Sequence, residues 1–597
     1  MLPARAFLCS PRALSVGIAA TILGGIAAAG CFSGEQGLPP PRDRFYFPTG
    51  LVISPGGQTL YVANSDFDLR YTGGTVQAID LPAVREKAWL LQAELQSAAG
   101  EPAGGGMGGG GGGGGDGMTG GDAARPTTEQ ACGAVGLALN PNPLLNPGPC
   151  TALDAAPLIR ASAIIGAFAS GALLVHRPAA EGPGARLFIP VRGDPSVTYF
   201  EVPDDRGCAT AGAGCAPEFR LGCGASEDGR CSSDFRIGEN PYESSRALQL
   251  PLEPVGMVAS PSGEAIVTAH QTQGAASLIV NRWGDKPLLE HVIQDLSPQP
   301  TELAALPLPG LAAACRDQIS YQPGFLLTYR AAPVLDLLRY DADALANAPR
   351  PFLSRAASLG IDVNTSGFDS RGVAVDASER TACEQACCEQ RCAAGDAGCL
   401  AGCAEQPPRA EDAEDLGEPA CLASCADIPM RFFVSNRAPA SLLIGEARTV
   451  LVDRTEGDAP GEGACGALGV SSAYETVELQ DTVALSYGAS RVAIGHVIDE
   501  SGAPQRRVFA VAFDSRFIYS YDPEARRVDA IIRTGRGPHA IAFDTGYDPD
   551  RGWYSFMYVG HFTDSYIGVV DLDTRRASTF GSMFLALGQP EPPQESR

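Results

Sequence analysis

Apolar and polar positions alternate with a period of two along most of the chain, in short runs punctuated by glycine, proline and aspartate. That is the pattern of half-buried strands joined by tight turns. The stretch FPTGLVISPGGQTLYVAN, which ends at Asn64, gives an apolar strand, an SPGG turn and an alternating strand, and GGTVQAIDL supplies a third. Far downstream GPHAIAFD, SFMYVGH and SYIGVVDLDT follow the same order, and SPGGQTLYVAN is matched position for position by SPSGEAIVTAH, ending at His270.

Five weaker copies lie between or around these: GALLVHRP with ARLFIPVRG and SVTYFEVPDD; PVGMVASPSGEAIVTAH with ASLIVNRW; TELAALPLPG with GFLLTYR and VLDLLRYDAD; SRGVAVDAS with MRFFVSN and SLLIGEA; SRVAIGHV with RRVFAVAFD, RFIYSYDPE and RRVDAIIRTG. Seven units of this kind predict an all-β chain, a seven-bladed β-propeller of four-stranded blades over residues 45–585 with a tail at 586–597. Radial stacking removes the exposed edges that a free meander would carry. The fourth strand is clearest in RRVDAIIRTG, and DRFYFP (Asp43 to Pro48) is placed to return as the strand that closes the last blade. Two smaller β domains such as sandwiches are the competing architecture.

The units resemble the YVTN family of β-propeller repeats, also found in lactonase-like propellers, through LYVAN, TVQAIDL, MYVGH and IGVVDLDT. Lettering the strands A to D from the axis outward, A–B and C–D turns share one face, and B–C turns and D–A connections share the other. The long insertions (82–158 and 205–245 after strand C; 308–322 and 379–429 between A and B; the Cys465 loop after C) then all fall on one face. The glycine run from Gly104 to Gly115 within 82–158 has no side chains to bury and reads as a disordered loop.

The N-terminus changes the cellular picture. Arg5 and Arg12 precede an uncharged run from Ala13 to Gly30, and AAAGC ends at Cys31. This is the layout of a secretory signal. Its end resembles the lipobox of bacterial lipoproteins, with Ala28 where that pattern prefers Leu. The resemblance implies a signal peptide over 1–30, a lipidated Cys31, a Pro-rich tether over 31–44, and, from Phe32, outer-membrane sorting. Lipid at the N-terminus would then be the only membrane contact. The chain carries 44 basic and 69 acidic side chains, a net charge of −25, which repels nucleic acid.

Of 18 cysteines, setting aside Cys9 and Cys31 leaves sixteen, an even number in an exported chain and hence up to eight disulfides. The densest cluster is a set of C-x3-C pairs: Cys383 and Cys387, Cys388 and Cys392, Cys399 and Cys403, Cys421 and Cys425. A separation of four puts both sulfurs on one helical face, so segment 379–429 reads as a laced helical hairpin. Cys388 with Cys403, Cys392 with Cys399, and Cys383 and Cys387 against Cys421 and Cys425 is the expected connectivity, which spacing alone does not determine. Thiolate metal binding is the alternative, disfavoured by the spacing and by the absence of histidine from the segment. No metal or other cofactor is expected.

Asn64, His270, Asn436 and His561 end strand B of their units, with Arg192 and Arg330 near the matching place, while Thr49, Val255, Arg371 and His539 begin strand A. These positions predict a polar ring at the channel mouth on the undecorated face. Asp544, Asp548 and Asp550 in DTGYDPD suit a solvated turn better than a calcium loop. The C-x-x-C-H, G-x-S-x-G and H-E-x-x-H signatures are all absent. The expectation is a monomeric, non-enzymatic binding or scaffold protein of the cell envelope that meets an envelope protein or polymer. A lactonase-like hydrolase at the mouth is implied by the family resemblance, and a carbohydrate or small-ligand binder is the third reading.

Overall fold

The computed structural model describes residues 37–101, 125–178, 182–208, 215, 218–244, 246–343, 346–347, 349–364, 366–391, 417–455 and 463–592. The chain is a seven-bladed β-propeller, each blade an antiparallel meander in chain order. Blade one comprises Pro48–Ile53, Thr59–Asn64, Thr75–Asp80 and Ile159–Ile164, and blade two Leu173–His176, Ala185–Val191, Ser196–Val202 and Arg236–Ile237. Blades three and four run Pro254–Ala259, Ala265–His270, Ala275–Val280, Leu288–Ile293, then Pro300–Ala305, Gly324–Tyr329, Val334–Asp341, Phe352–Gly360. Blade five has Phe368–Asp376, Met430–Ala438, Ala440–Asp453 and Val470–Ala484, with Ser320–Tyr321 added in parallel as a fifth strand. Blade six has Arg491–Ile498, Pro504–Ala512, Phe517–Asp522 and Arg527–Arg533; blade seven has Pro538–Asp548, Gly552–His561, Tyr566–Asp571 and Met583–Leu587.

Middle strands lie between neighbouring blades on both faces, so Thr59–Asn64, Ala265–His270, Ala275–Val280 and Tyr566–Asp571 are buried at every position. Burial of each Val, Leu or Ile there contributes about 1.5–3 kcal/mol. Outer strands carry less; Phe352–Gly360 is mostly exposed. At the entry of strand A the A–B pairing shifts register in five blades, at Pro48/Gly50, opposite His270, and at Pro300/Leu303, Ser370/Gly372 and Pro538/Ala540. The extra residue of such a bulge leaves the ladder and re-aims its side chain. Neighbouring blades approach closely here: a Cβ on Gly50 would lie 2.5 Å from the carbonyl carbon of Gly171.

The closing strand expected from Asp43 to Pro48 does not form. Met583–Leu587 already fills the outer position of blade seven, leaving no edge for the N-terminus to complete. Phe45, Tyr46 and Phe47 are instead buried as a plug, and the Phe47 N–H donates to Ser565 Oγ at 3.1 Å. Leu153 adds a single parallel bridge to Leu587, with the Leu153 and Gly588 amides each donating at 2.8 Å across the seam. The propeller therefore extends to Leu587, two residues into the expected tail.

Helix α1, Leu81–Ala99, not anticipated from the sequence, opens the Gly-rich insertion expected over 82–158. Asp80 caps it, Pro82 stands in its first turn, Gly100 ends it in the left-handed region, and Leu81, Val84, Ala88 and Leu91 form the buried stripe. A short second helix, α2, spans Thr128–Ala134, and Cys132 on its buried side pairs with Cys150. The glycine run itself lies outside the described residues.

On the face carrying A–B and C–D connections, four helices form a cap: α3 (Gly310–Ala314), α4 (Ser378–Arg391), α5 (Gly417–Ala426) and α6 (Gly463–Ala467). Cys383 pairs with Cys425 and Cys387 with Cys421, lacing α4 to α5, and Cys315 pairs with Cys465, joining a blade-four loop to a blade-five loop. Cys388 is also in a disulfide, while Cys392, Cys399 and Cys403 lie outside the described residues. Leu311, Ile319, Leu422 and Val470 make the cap's own small core.

Candidate functional site

The mouth opposite the cap is where sequence placed its polar ring. Four of those residues turn inward to their own blades. Asn64 is buried, its Oδ1 accepting from the Tyr46 N–H at 3.0 Å and its Nδ2 donating to Thr75 Oγ1 and Gln77 Oε1. Asn436 accepts from Ser370 Oγ at 2.6 Å and donates to the Ser366 carbonyl at 2.7 Å. His270 Nε2 lies 2.8 Å from Ser277 Oγ on strand C. His561 Nε2 accepts the Gly535 N–H at 3.1 Å, and its ring stacks on Tyr566 at 4.1 Å. All four are 0–1% exposed, so they cap backbone and neighbouring strands and do not line an open mouth. The reason is geometric: strand B is sandwiched between blades, so its last residue is covered on both sides and bonds to its own blade and the segment leading into it.

The strand-A residues behave differently because the entry bulge faces the axis. His539 Nδ1 donates to the Thr49 carbonyl at 3.2 Å, joining blade seven to blade one. Arg371 makes a two-pronged pair with Asp369 at 2.8 and 2.9 Å. Arg491, at the same place in blade six, reaches across the axis: it donates to the Ser170 carbonyl ahead of blade two at 3.3 Å and lies 3.6 Å from Glu302 of blade four. The channel is thus bridged at its mouth by one guanidinium.

Around this bridge the rim divides. Arg330 and Arg371 share Asp369, Arg192 pairs with Glu253 at 2.8 Å, and Arg437 pairs with Asp514. Next to Asp514 begins an aromatic lip: Phe513, Phe562, Phe67 and Phe168 contact one another in sequence, with Phe562 and Phe67 centroids 5.1 Å apart, and His539 packs on Phe562. Arg491, Glu302 and the phenylalanines went unread in the sequence. Their signal is positional: Phe513 and Phe562 each immediately follow a strand B, at the place where the other units carry the polar residues Ser65, Arg192, Gln271, Arg330 and Arg437.

Protonation follows burial. His270 is pushed down to about 4 by burial, and His561 to about 3 by the same cause. His539 falls to about 3 through burial and then the Arg491 guanidinium. The remaining three of the six histidines, His176, His291 and His496, are also lowered by burial. His270, His539 and His561 are therefore held as neutral imidazoles well below neutral pH. Glu302 is raised by burial, partly offset by Arg491.

Two other groupings resolve as structural. Asp544 is buried against Arg85 at 2.8 Å, whereas Asp548 folds its own turn by accepting from the Asp550 and Arg551 amides, so the three DTGYDPD carboxylates do not converge. Sulfurs of Cys383, Cys387 and Cys425 lie within 4.8 Å of one another but are taken up in disulfides.

Neither a family model nor a curated protein matches the chain. Among solved structures it is similar to Kuenenia stuttgartiensis hydrazine synthase (TM-score 0.40, 9% identity, covering 89% of this chain and 97% of that one). It is also similar to putative 6-phosphogluconolactonases of Bacteroides fragilis (TM-score 0.36, 11% identity, 73% of this chain and 88% of that one) and Bacteroides uniformis (0.33, 10%, 67% and 80%). These are distant likenesses of fold. The chain is a seven-bladed β-propeller with distant structural similarity to lactonase-like propellers, and its multiple disulfides suggest an extracytoplasmic protein.

Proposed function

We propose that this chain is an exported, lipid-anchored propeller that acts without catalysis, presenting its cross-linked cap to a protein or polymer of the cell envelope. The observation that carries the reading is the Cys315–Cys465 bridge, which ties loops of two different blades, 150 residues apart in sequence, into one body with the laced helices α4 and α5. A propeller closes without such loops. Fixing them together on one face makes a rigid, shaped surface, the condition for binding at low entropic cost. The histidines near the mouth, buried and depressed, add no support to hydrolysis.

The test has two arms. Mass analysis of the mature N-terminal peptide is expected to find acylated Cys31; an unmodified Cys31 removes the anchor. Crosslinking in the native envelope is expected to capture a partner that is lost on deleting residues 381–427. Retention of every partner by that variant, with its propeller circular dichroism intact, removes the docking role.

A further inference from the structure

We propose that the mouth face lies against the membrane, its exposed apolar rim dipping into the lipid interface while the cap points away. The proposal rests on the Cys31 anchor only for orientation; the rim stands on its own.

The N-terminal segment arrives on the mouth side. Leu38 bridges to Tyr71 in the B–C connection of blade one, and Arg44 pairs with Glu591 at 3.0 Å beside it. Six residues lie between Cys31 and Leu38, and the seven steps from one to the other reach roughly 25 Å fully extended. Passing over the rim to the cap requires about 14 Å outward across four strands and about 20 Å down a six-residue strand. An anchor at Cys31 therefore holds the mouth, not the cap, at the bilayer.

Six large apolar side chains project from that face: Leu38 (61% exposed), Phe67 (49%), Leu69 (60%), Leu252 (50%), Phe368 (43%) and Tyr487 (49%). They come from the N-terminal segment, the first B–C connection, the D–A connections before blades three and six, and the start of blade five. Spread around the ring, they define a surface and not a pocket, which fits a flat partner. Leu69 also holds a left-handed backbone, φ 55°, at the tip of its loop. Phe and Leu insert favourably at the lipid interface, and Tyr sits well at its polar edge. With a net charge of −25 the chain gains little from anionic lipid, so the contact is apolar and forms on zwitterionic lipid. No helix among the described residues is long and apolar enough to cross a membrane.

The experiment uses the mature chain beginning at Phe32, without Cys31, and phosphatidylcholine vesicles in a sedimentation assay. Saturable co-sedimentation is expected. Replacing Leu38, Leu69, Leu252 and Phe368 together by Ser is expected to weaken it at least tenfold with a melting temperature close to wild type, because these side chains are largely exposed and none belongs to the packed aromatic lip. Replacing the cap-side pair Tyr547 and Trp553 by Ser, itself 61% and 38% exposed, is expected to leave it unchanged. Absence of binding to vesicles, or binding lost with the cap-side pair and kept by the mouth variant, overturns the proposal. Acylation of Cys31 is read separately, so a missing anchor and a non-binding mouth are distinguishable.

Discussion

His561 ends a strand, sits near a channel and belongs to the residue type most used in catalysis, yet its ring is a structural part. Its Nε2 accepts the Gly535 amide, which fixes the proton on Nδ1, and Tyr566 covers one face. A histidine that stays neutral when folded but titrates near 6.5 when unfolded contributes stability that is complete above 6.5 and lost as pH falls toward the folded value, here about 3. His270 and His539 share that sign. Asp571 runs the other way: raised to about 6 by burial, it contributes stability below 3.8 that is lost as pH rises through 6. The comparison is therefore between variants. We expect His561→Asn to be less stable at pH 7 by about 2 kcal/mol, from the cavity and lost stacking. Between pH 6 and 4 its stability should vary less steeply than wild type, by up to about 1.4 kcal/mol per pH unit. Urea titrations across this range check both; parallel slopes would mean that His561 is protonated in the fold.

At the scale of elements, the cap depends on one buried cation. Arg380, 1% exposed, leaves α4 to donate to the Ala426 and Ile428 carbonyls where α5 ends, and to Thr449 Oγ1 at 2.9 Å. Cations at a helix C-terminus satisfy carbonyls that have no partner within the helix. We expect Arg380→Ala to cost about 3 kcal/mol, seen first as faster amide exchange in α4 and α5 while blades one to three stay protected. Losing the Cys315–Cys465 bridge through Ser at both positions should cost at most about 5 kcal/mol for so long a loop; thermal melts under oxidising conditions measure it. These elements also mark what the sequence could tell. Strands A to C were legible because burial on both faces leaves apolar runs such as TLYVAN. Outer strands such as Phe352–Gly360 are exposed and lose that pattern. Helix α1 was missed although Asp80, Pro82, the Leu81–Val84–Ala88–Leu91 stripe and Gly100 spell it, because the glycine run beside it dominates the composition. The ring of mouth residues was misjudged because strand-end position was read without the sandwiching of strand B between sheets.

For the whole molecule the decisive question is how a seven-bladed ring shuts when no strand is shared between its termini. Helix α1 performs that task. Arg85 spans the seam: it donates to the Gly57 carbonyl of blade one at 2.7 Å and pairs with buried Asp544 of blade seven. Trp89 packs edge-on against Tyr554, and Gln92 donates to Asp571 at 2.5 Å, both in blade seven. Leu81, Val84, Ala88 and Leu91 join residues of both blades in one core. A latch of this kind couples helix and ring, so damage to it cannot remain local. Arg85→Met keeps much of the packing volume but strands the Asp544 carboxylate, a loss of about 3–5 kcal/mol for a broken buried pair. If α1 closes the ring, that loss should appear in the global transition: one cooperative unfolding step shifted to lower denaturant, with amide protection falling in blades one and seven together. Exchange that rises in α1 alone, with the two blades unaffected, would make the helix an ornament and leave closure to the core between the sheets.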